Sequence, residues 1–97
     1  MKVFFTIKAS QNILSLADFI SDEIKMPITA SRYAEKMKVF GLSIGTNPNA
    51  WPICNSKKYS THNYRCAVFE KKWVFVYSIT PKHVIIRDVV NGKLIKA

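Results

Sequence analysis

Between Asn63 and Val90 three apolar runs follow one another with joints of only a few residues, and this narrows the possible folds most. The runs cover residues 63–69, 73–79 and 83–90. They are rich in Val, Ile, Phe, Tyr and Trp, which suit a pleated, half-buried surface. The joints, Glu70-Lys71-Lys72 and the stretch around Thr80-Pro81-Lys82, have hairpin length. Three strands linked in this way imply an antiparallel sheet that needs cover on one face.

Upstream the period changes. Residues 2–8 alternate, Val3, Phe5 and Ile7 against Lys2, Phe4, Thr6 and Lys8, which predicts a strand. From about Ser10 to Ile24 the apolar positions Ile13, Leu16, Ala17, Ile20 and Ile24 fall on one helical stripe. Pro27 suits the first turn of a second helix, marked by Ala30, Tyr33, Ala34, Met37, Phe40 and Ile44. Gly45-Thr46-Asn47-Pro48-Asn49 breaks it. Residues 49–62 read as a loop with room for one short helical turn. The order is β-α-α-β-β-β, an α+β class in which a helical hairpin packs on one face of a curved antiparallel sheet. The 97 residues are expected to form one domain, 1–97.

Side-chain parity then separates the two faces of the sheet. If both turns close with two-residue loops, Arg65, Ala67 and Phe69 share a face with Val74, Val76, Ser78, His83, Ile85 and Arg87. The opposite face collects Cys66, Val68, Trp73, Phe75, Tyr77, Ile79, Val84, Ile86 and Val90. This bulkier set is expected beneath the helices, because apolar burial contributes about 25 cal/mol per Å². Arg65 and Arg87 would then stand on the open face with His83 nearby, a seat for phosphate with one proton-exchanging side chain. Lys57 and Lys58, in the loop before these strands, would add charge at its rim. The plainer reading of each arginine is a partner carboxylate such as Glu70 or Asp88.

Charge agrees with a polyanion or acidic partner. Fifteen Lys/Arg against six Asp/Glu give +9. Residues 1–49 hold six basic and four acidic side chains (+2), and residues 50–97 hold nine and two (+7). Cys54 and Cys66 lack zinc-type spacing and are expected to be reduced apolar residues, so no metal or other cofactor is expected. No apolar run approaches the roughly 20 residues that span a bilayer. The first residues do not resemble a secretory signal, and a cytoplasmic protein without a membrane partner is the expectation. No phosphate-binding glycine loop, G-x-S-x-G or H-E-x-x-H occurs.

With these residues placed, the chain resembles the RelE/ParE superfamily of toxins from type II toxin–antitoxin systems. The resemblance rests on the element order, Asn47-Pro48 after the second helix, Tyr64-Arg65 opening a strand, Trp73-Val74-Phe75-Val76-Tyr77, Ile85-Ile86-Arg87 and Gly92-Lys93. It implies a sheet with one face free and an acidic antitoxin as partner, with Leu94, Ile95 and the outer side of the helical hairpin as contacts. In RNA-cleaving members the free face holds ribosome-bound mRNA for metal-independent cleavage. Carried over, Lys58, Arg65 and Arg87 match the family's basic positions, with Lys57 beside them. Lys93 stands where such toxins place a Tyr or His, so that His83 or Lys93 would have to serve as acid/base. ParE-like members instead inhibit DNA gyrase and are not regarded as nucleases. A basic nucleic-acid-binding module without toxicity is the third alternative.

Overall fold

A computed structural model describes residues 1–22 and 27–92. Ile24, Lys93, Leu94 and Ile95, and the side chains of Ala17, Ile20 and Ala30, lie outside the described residues. The elements are β1 (Lys2–Phe5), α1 (Ile7–Asp22), α2 (Pro27–Ser43), a 3-10 turn over Ile44–Thr46, α3 (Lys57–Ser60), β2 (Arg65–Phe69), β3 (Trp73–Ile79) and β4 (His83–Asn91). The strands form one sheet in the order β1-β4-β3-β2. β2, β3 and β4 are antiparallel neighbours, whereas β1 runs parallel to β4.

β1 is shorter than its alternation suggests because Thr6 starts a helix. Its Oγ1 accepts from the Ala9 N–H at 3.1 Å, and its carbonyl accepts from the Ser10 N–H at 3.0 Å. That is an N-cap, which satisfies donors a helix start would otherwise leave open. Ile7 and Lys8 therefore enter the first turn of α1, and Ile7 is left exposed. Thr6 also binds β4, its N–H donating to the Ile86 carbonyl at 3.0 Å and its hydroxyl to the Arg87 carbonyl at 3.0 Å. α2 begins at Pro27 as its sequence implies, and Gly41 lets it approach the sheet. A Cβ there would come within 2.6 Å of Phe5 Cζ and 3.3 Å of Phe75 Cε2.

The main core lies between the helices and the sheet. Ala9, Ile13, Met37 and Ile44 meet Ala67, Phe75, Tyr77, Val84, Ile86 and Val89, all buried. Each large side chain there stabilises the fold by about 1.5–3 kcal/mol. A second apolar cluster lies on the other face, where Cys54 and Tyr59 pack on Cys66, Val74 and Val76, with Tyr64, Val68 and Val90 at its margin.

Two irregularities correct the parity argument. The first hairpin pairs Phe69 with Trp73 across three residues instead of two. Glu70 and Lys71 are both left-handed (φ 52° and 58°), and the Lys72 N–H donates to the Phe69 carbonyl at 3.1 Å. One extra residue turns β2 over. Ala67 and Phe69 consequently lie beneath the helices, and Cys66 and Val68 on the opposite face. The second irregularity is a bulge: Tyr77 pairs with Ile86 but Val76 with Asp88, leaving Arg87 as the extra residue. Val89 then enters the main core and Val90 leaves it. The assignments of Trp73, Phe75, Tyr77, Val84 and Ile86 to the helical side stand.

The cysteines are also corrected. Cys54 and Cys66 form a disulfide with Cα atoms 5.1 Å apart. Residues 52–54 run beside β2, which brings the two together. The Cys66 N–H donates to the Pro52 carbonyl at 3.1 Å, the Cys54 N–H donates to the Tyr64 carbonyl at 2.9 Å, and Ile53 bridges Arg65.

Candidate functional site on the open sheet face

The bulge in β4 sets the site. It projects Arg87 away from the helices, where Nε donates to Ser78 Oγ of β3 at 3.0 Å. The Arg87 guanidinium carbon lies 5.6 Å from the centre of the Tyr64 ring, on which the His62 ring stacks at 5.1 Å and 27°. Arg87 is half-buried, and among the described residues it makes no ion pair within 4 Å. Nε is committed to Ser78, so the two terminal nitrogens of its planar fork can address an incoming anion.

Arg65 does not share this place. It stands opposite Tyr77, on the helical side of β2, and its Nη1 donates to the Trp51 carbonyl. The expected pair of guanidiniums on one face is therefore absent, because the three-residue turn reverses β2 relative to β3. His83 is on the open face, its ring edge-on to Phe4 at 4.9 Å. Three residues of strand lie between it and Arg87, and the four steps span about 13 Å at the usual rise. The two do not converge on one small anion. Lys57 and Lys58 are exposed on α3, with Lys58 Nζ 5.4 Å from the Tyr59 ring centre. Lys93, Leu94 and Ile95 lie outside the described residues.

Asp88, next to Arg87, fixes the site from beneath. It is 3% exposed, yet does not pair with that arginine. Oδ1 accepts from Asn12 Nδ2 at 2.7 Å and from the Val89 N–H at 2.9 Å. Oδ2 accepts from the Tyr59 hydroxyl at 3.2 Å and pairs with Lys8 Nζ at 3.0 Å. Where β1 ends, α1 takes over the edge of β4, and Asn12 also donates to the Val89 carbonyl at 3.2 Å. One carboxylate thus joins α1, α3 and the bulge. Sequence reasoning treated Asp88 only as a possible partner of Arg87. It placed Ser78 on the open face and used Tyr64 only as the start of a strand, and it passed over Tyr59 and His62. The proximity of these residues depends on the turn length and the bulge.

Burial, followed by the charge of Asp88 and its hydrogen bond, pushes the Tyr59 phenol up to about 12 from 10.0. Tyr77 is also raised, chiefly by burial and against the lowering effect of Arg65. A raised folded-state value favours the neutral phenol, so the stability contributed by Tyr59 is present below pH 10 and lost as pH rises through about 12. Denaturant midpoints at pH 9, 11 and 12 should fall less for Tyr59→Phe than for the wild type across that window. Equal slopes for the two chains would contradict the assignment.

No family model matches the chain, and no curated protein sequence matches it. Among solved structures it is similar to a chain of the chromosomal ParDE TA system from P. aeruginosa. The TM-score is 0.77 at 15% identity, covering 94% of this chain and 95% of that one. The fold is RelE/ParE-like. In this ParE-like frame the helical hairpin covers one face of the sheet and Arg87 stands on the other. Among the described residues no helix is long and apolar enough to cross a membrane, and no three His, Cys, Asp or Glu side chains are placed to hold a metal ion.

Proposed function

We propose that this chain is the toxin of a toxin–antitoxin pair, acting in the cytoplasm, and that its open sheet face around Arg87 meets the cellular target. The observation that carries this reading is the likeness in fold, nearly end to end, to a chain of a ParDE TA system. A net charge of +9 supports an acidic antitoxin as partner. Leu14 on α1 and Val39 and Leu42 on α2 are each more than half exposed and give the outer side of the hairpin an apolar surface for an antitoxin helix.

Inhibition of DNA gyrase without chemistry is the favoured mode. The separation of Arg65 from Arg87 supports it, since one guanidinium remains where phosphate cleavage calls for a converging set. A second reading, cleavage of ribosome-bound mRNA, is supported by the grouping of Arg87, Ser78, Tyr64 and His62. That group offers an anion anchor, a stacking ring and a side chain able to exchange a proton near neutrality. Induction of the chain in a bacterial host is expected to arrest growth with altered plasmid supercoiling and intact messages. Cuts within translated messages, mapped by primer extension, would establish the second reading instead. Normal growth at high expression would leave a basic module without toxicity and sink both.

A further inference from the structure

The disulfide lies close to the surface just described. The segment from Asn47 to Tyr64 forms a strap along the free edge of β2 and onto the open face, with α3 in its middle. Within it, Cys54 and Tyr59 pack on Val74 and Val76. Both backbone groups of Tyr64 are held by the strap, the N–H donating to the Tyr59 carbonyl at 3.2 Å and the carbonyl accepting from the Cys54 N–H at 2.9 Å. Tyr64 is the ring beneath Arg87 and His62. The Cys54–Cys66 bond is the covalent element that fixes this strap to the sheet.

The buried members of the main core come from α1, α2, the 3-10 turn and the sheet, and none is a cysteine. The strap meets this core at its start, where Trp51 packs against it and the Pro48 carbonyl accepts from the Tyr77 hydroxyl at 2.6 Å. Opening residues 52–64 would disturb the second cluster, the Tyr59–Asp88 hydrogen bond and the open face while Trp51 and Pro48 stay on the helix–sheet core, the pattern of a local rather than a global transition. The two sulfurs also differ in surroundings. Cys66 is sealed within β2, whereas Cys54 sits on the edge segment between exposed Ile53 and exposed Asn55. Both cysteines are buried, Cys54 at 3% and Cys66 at 1% exposure, and local fraying of the exposed flanking residues Ile53 and Asn55 admits a small thiol to Cys54 first.

We propose that the Cys54–Cys66 disulfide is a redox latch, which holds the strap and the Tyr64 ring in place when oxidised and releases them when reduced. As regulation of the Arg87 surface, it rests on the reading of that face as the working one. An external thiolate attacks Cys54 Sγ, breaking the bond to Cys66, which leaves as a thiolate and takes up a proton. A second external thiolate attacks the external sulfur of the mixed disulfide, releasing Cys54. Two external thiols become one disulfide, and their two electrons and two protons end on Cys54 and Cys66.

Lys57 and Lys58 lie within the strap and report on it, because trypsin cleaves after them only when α3 opens. Limited trypsinolysis of the oxidised protein, the same protein reduced with dithiothreitol, and the Cys54→Ser/Cys66→Ser chain is quenched, fully reduced and read by mass spectrometry. Cleavage after Lys57 and Lys58 is expected to accelerate by on the order of tenfold or more in the reduced and double-serine forms, with cleavage at Lys36 and Lys38 of α2 unchanged. Equal rates in all three forms overturn the latch. Acceleration at every site together overturns it too, since the bond would then hold the whole fold. Growth arrest by an Arg87→Ala chain tests the reading of the open face separately and does not bear on these rates.

Discussion

Asp88→Ala is expected to lower the unfolding free energy by about 3 kcal/mol, which shifts the melting temperature of a domain this size by about 12–24 °C. The carboxylate is buried, and it accepts from the Asn12 amide, the Tyr59 hydroxyl and the Val89 N–H. Removing it leaves the buried Tyr59 hydroxyl without its acceptor, at about 1–3 kcal/mol for a buried group so stranded, and takes one of the two acceptors of Asn12, which keeps the Val89 carbonyl. Lys8 contributes little to the total. Its side chain is 62% exposed, so its ion pair is screened by water. Asp88→Asn retains shape and one acceptor oxygen and should fall between wild type and alanine. Thermal melts followed by circular dichroism measure the series. A loss below about 1 kcal/mol for the alanine variant would show that α1, α3 and the bulge are held by other contacts.

Arg65→Ala and Arg87→Ala should have opposite consequences, although the sequence offers the two arginines as equivalents. Arg65 donates to the Trp51 carbonyl beside buried Tyr77. Its loss is expected to destabilise the protein by about 2 kcal/mol, the range for a charged hydrogen bond, with little change in polyanion binding. Arg87 is anchored by Ser78 and Tyr64 and faces outward. Its removal is expected to change stability by less than about 1 kcal/mol while weakening binding of a short single-stranded RNA probe about tenfold. Fluorescence anisotropy and denaturant titration on the same preparations separate the two effects. Comparable loss of binding in both variants would mean that the faces are assigned wrongly.

These expectations differ from the parity argument in ways that are physically instructive. The switch from period two to period 3.6, the proline opening α2 and the three closely spaced strands were legible, because each is written in local residue choice. The end of β1 was also legible in principle. Thr6 is a good N-cap, but the apolar Ile7 extended the alternation past it. The reversal of β2 was legible only in the length of its joint, Glu70-Lys71-Lys72. The joint takes left-handed backbone angles at Glu70 and Lys71 without the Asn or Gly that normally announce such a turn, so a two-residue closure was the wrong assumption. The bulge at Arg87 carries no local signal either. Together they decide which side chains meet, so the membership of the open face could not follow from alternation. The disulfide had the same obstacle. A separation of 12 residues is compatible with many geometries, and only the run of 52–54 along β2 makes the two sulfurs neighbours.

β1 pairs with β4 in register, Lys2 opposite His83 and Phe5 opposite Ile86. The sheet is therefore closed by contacts of very high contact order, which form slowly and only after most of the chain exists. A chain emerging from the ribosome can build its helical hairpin and the β2–β3 hairpin early, but Arg87 reaches its place only with β4, the last of the described strands. The surface proposed to act on the cell is thus assembled only once β4 has been made and β1 at last finds its neighbour.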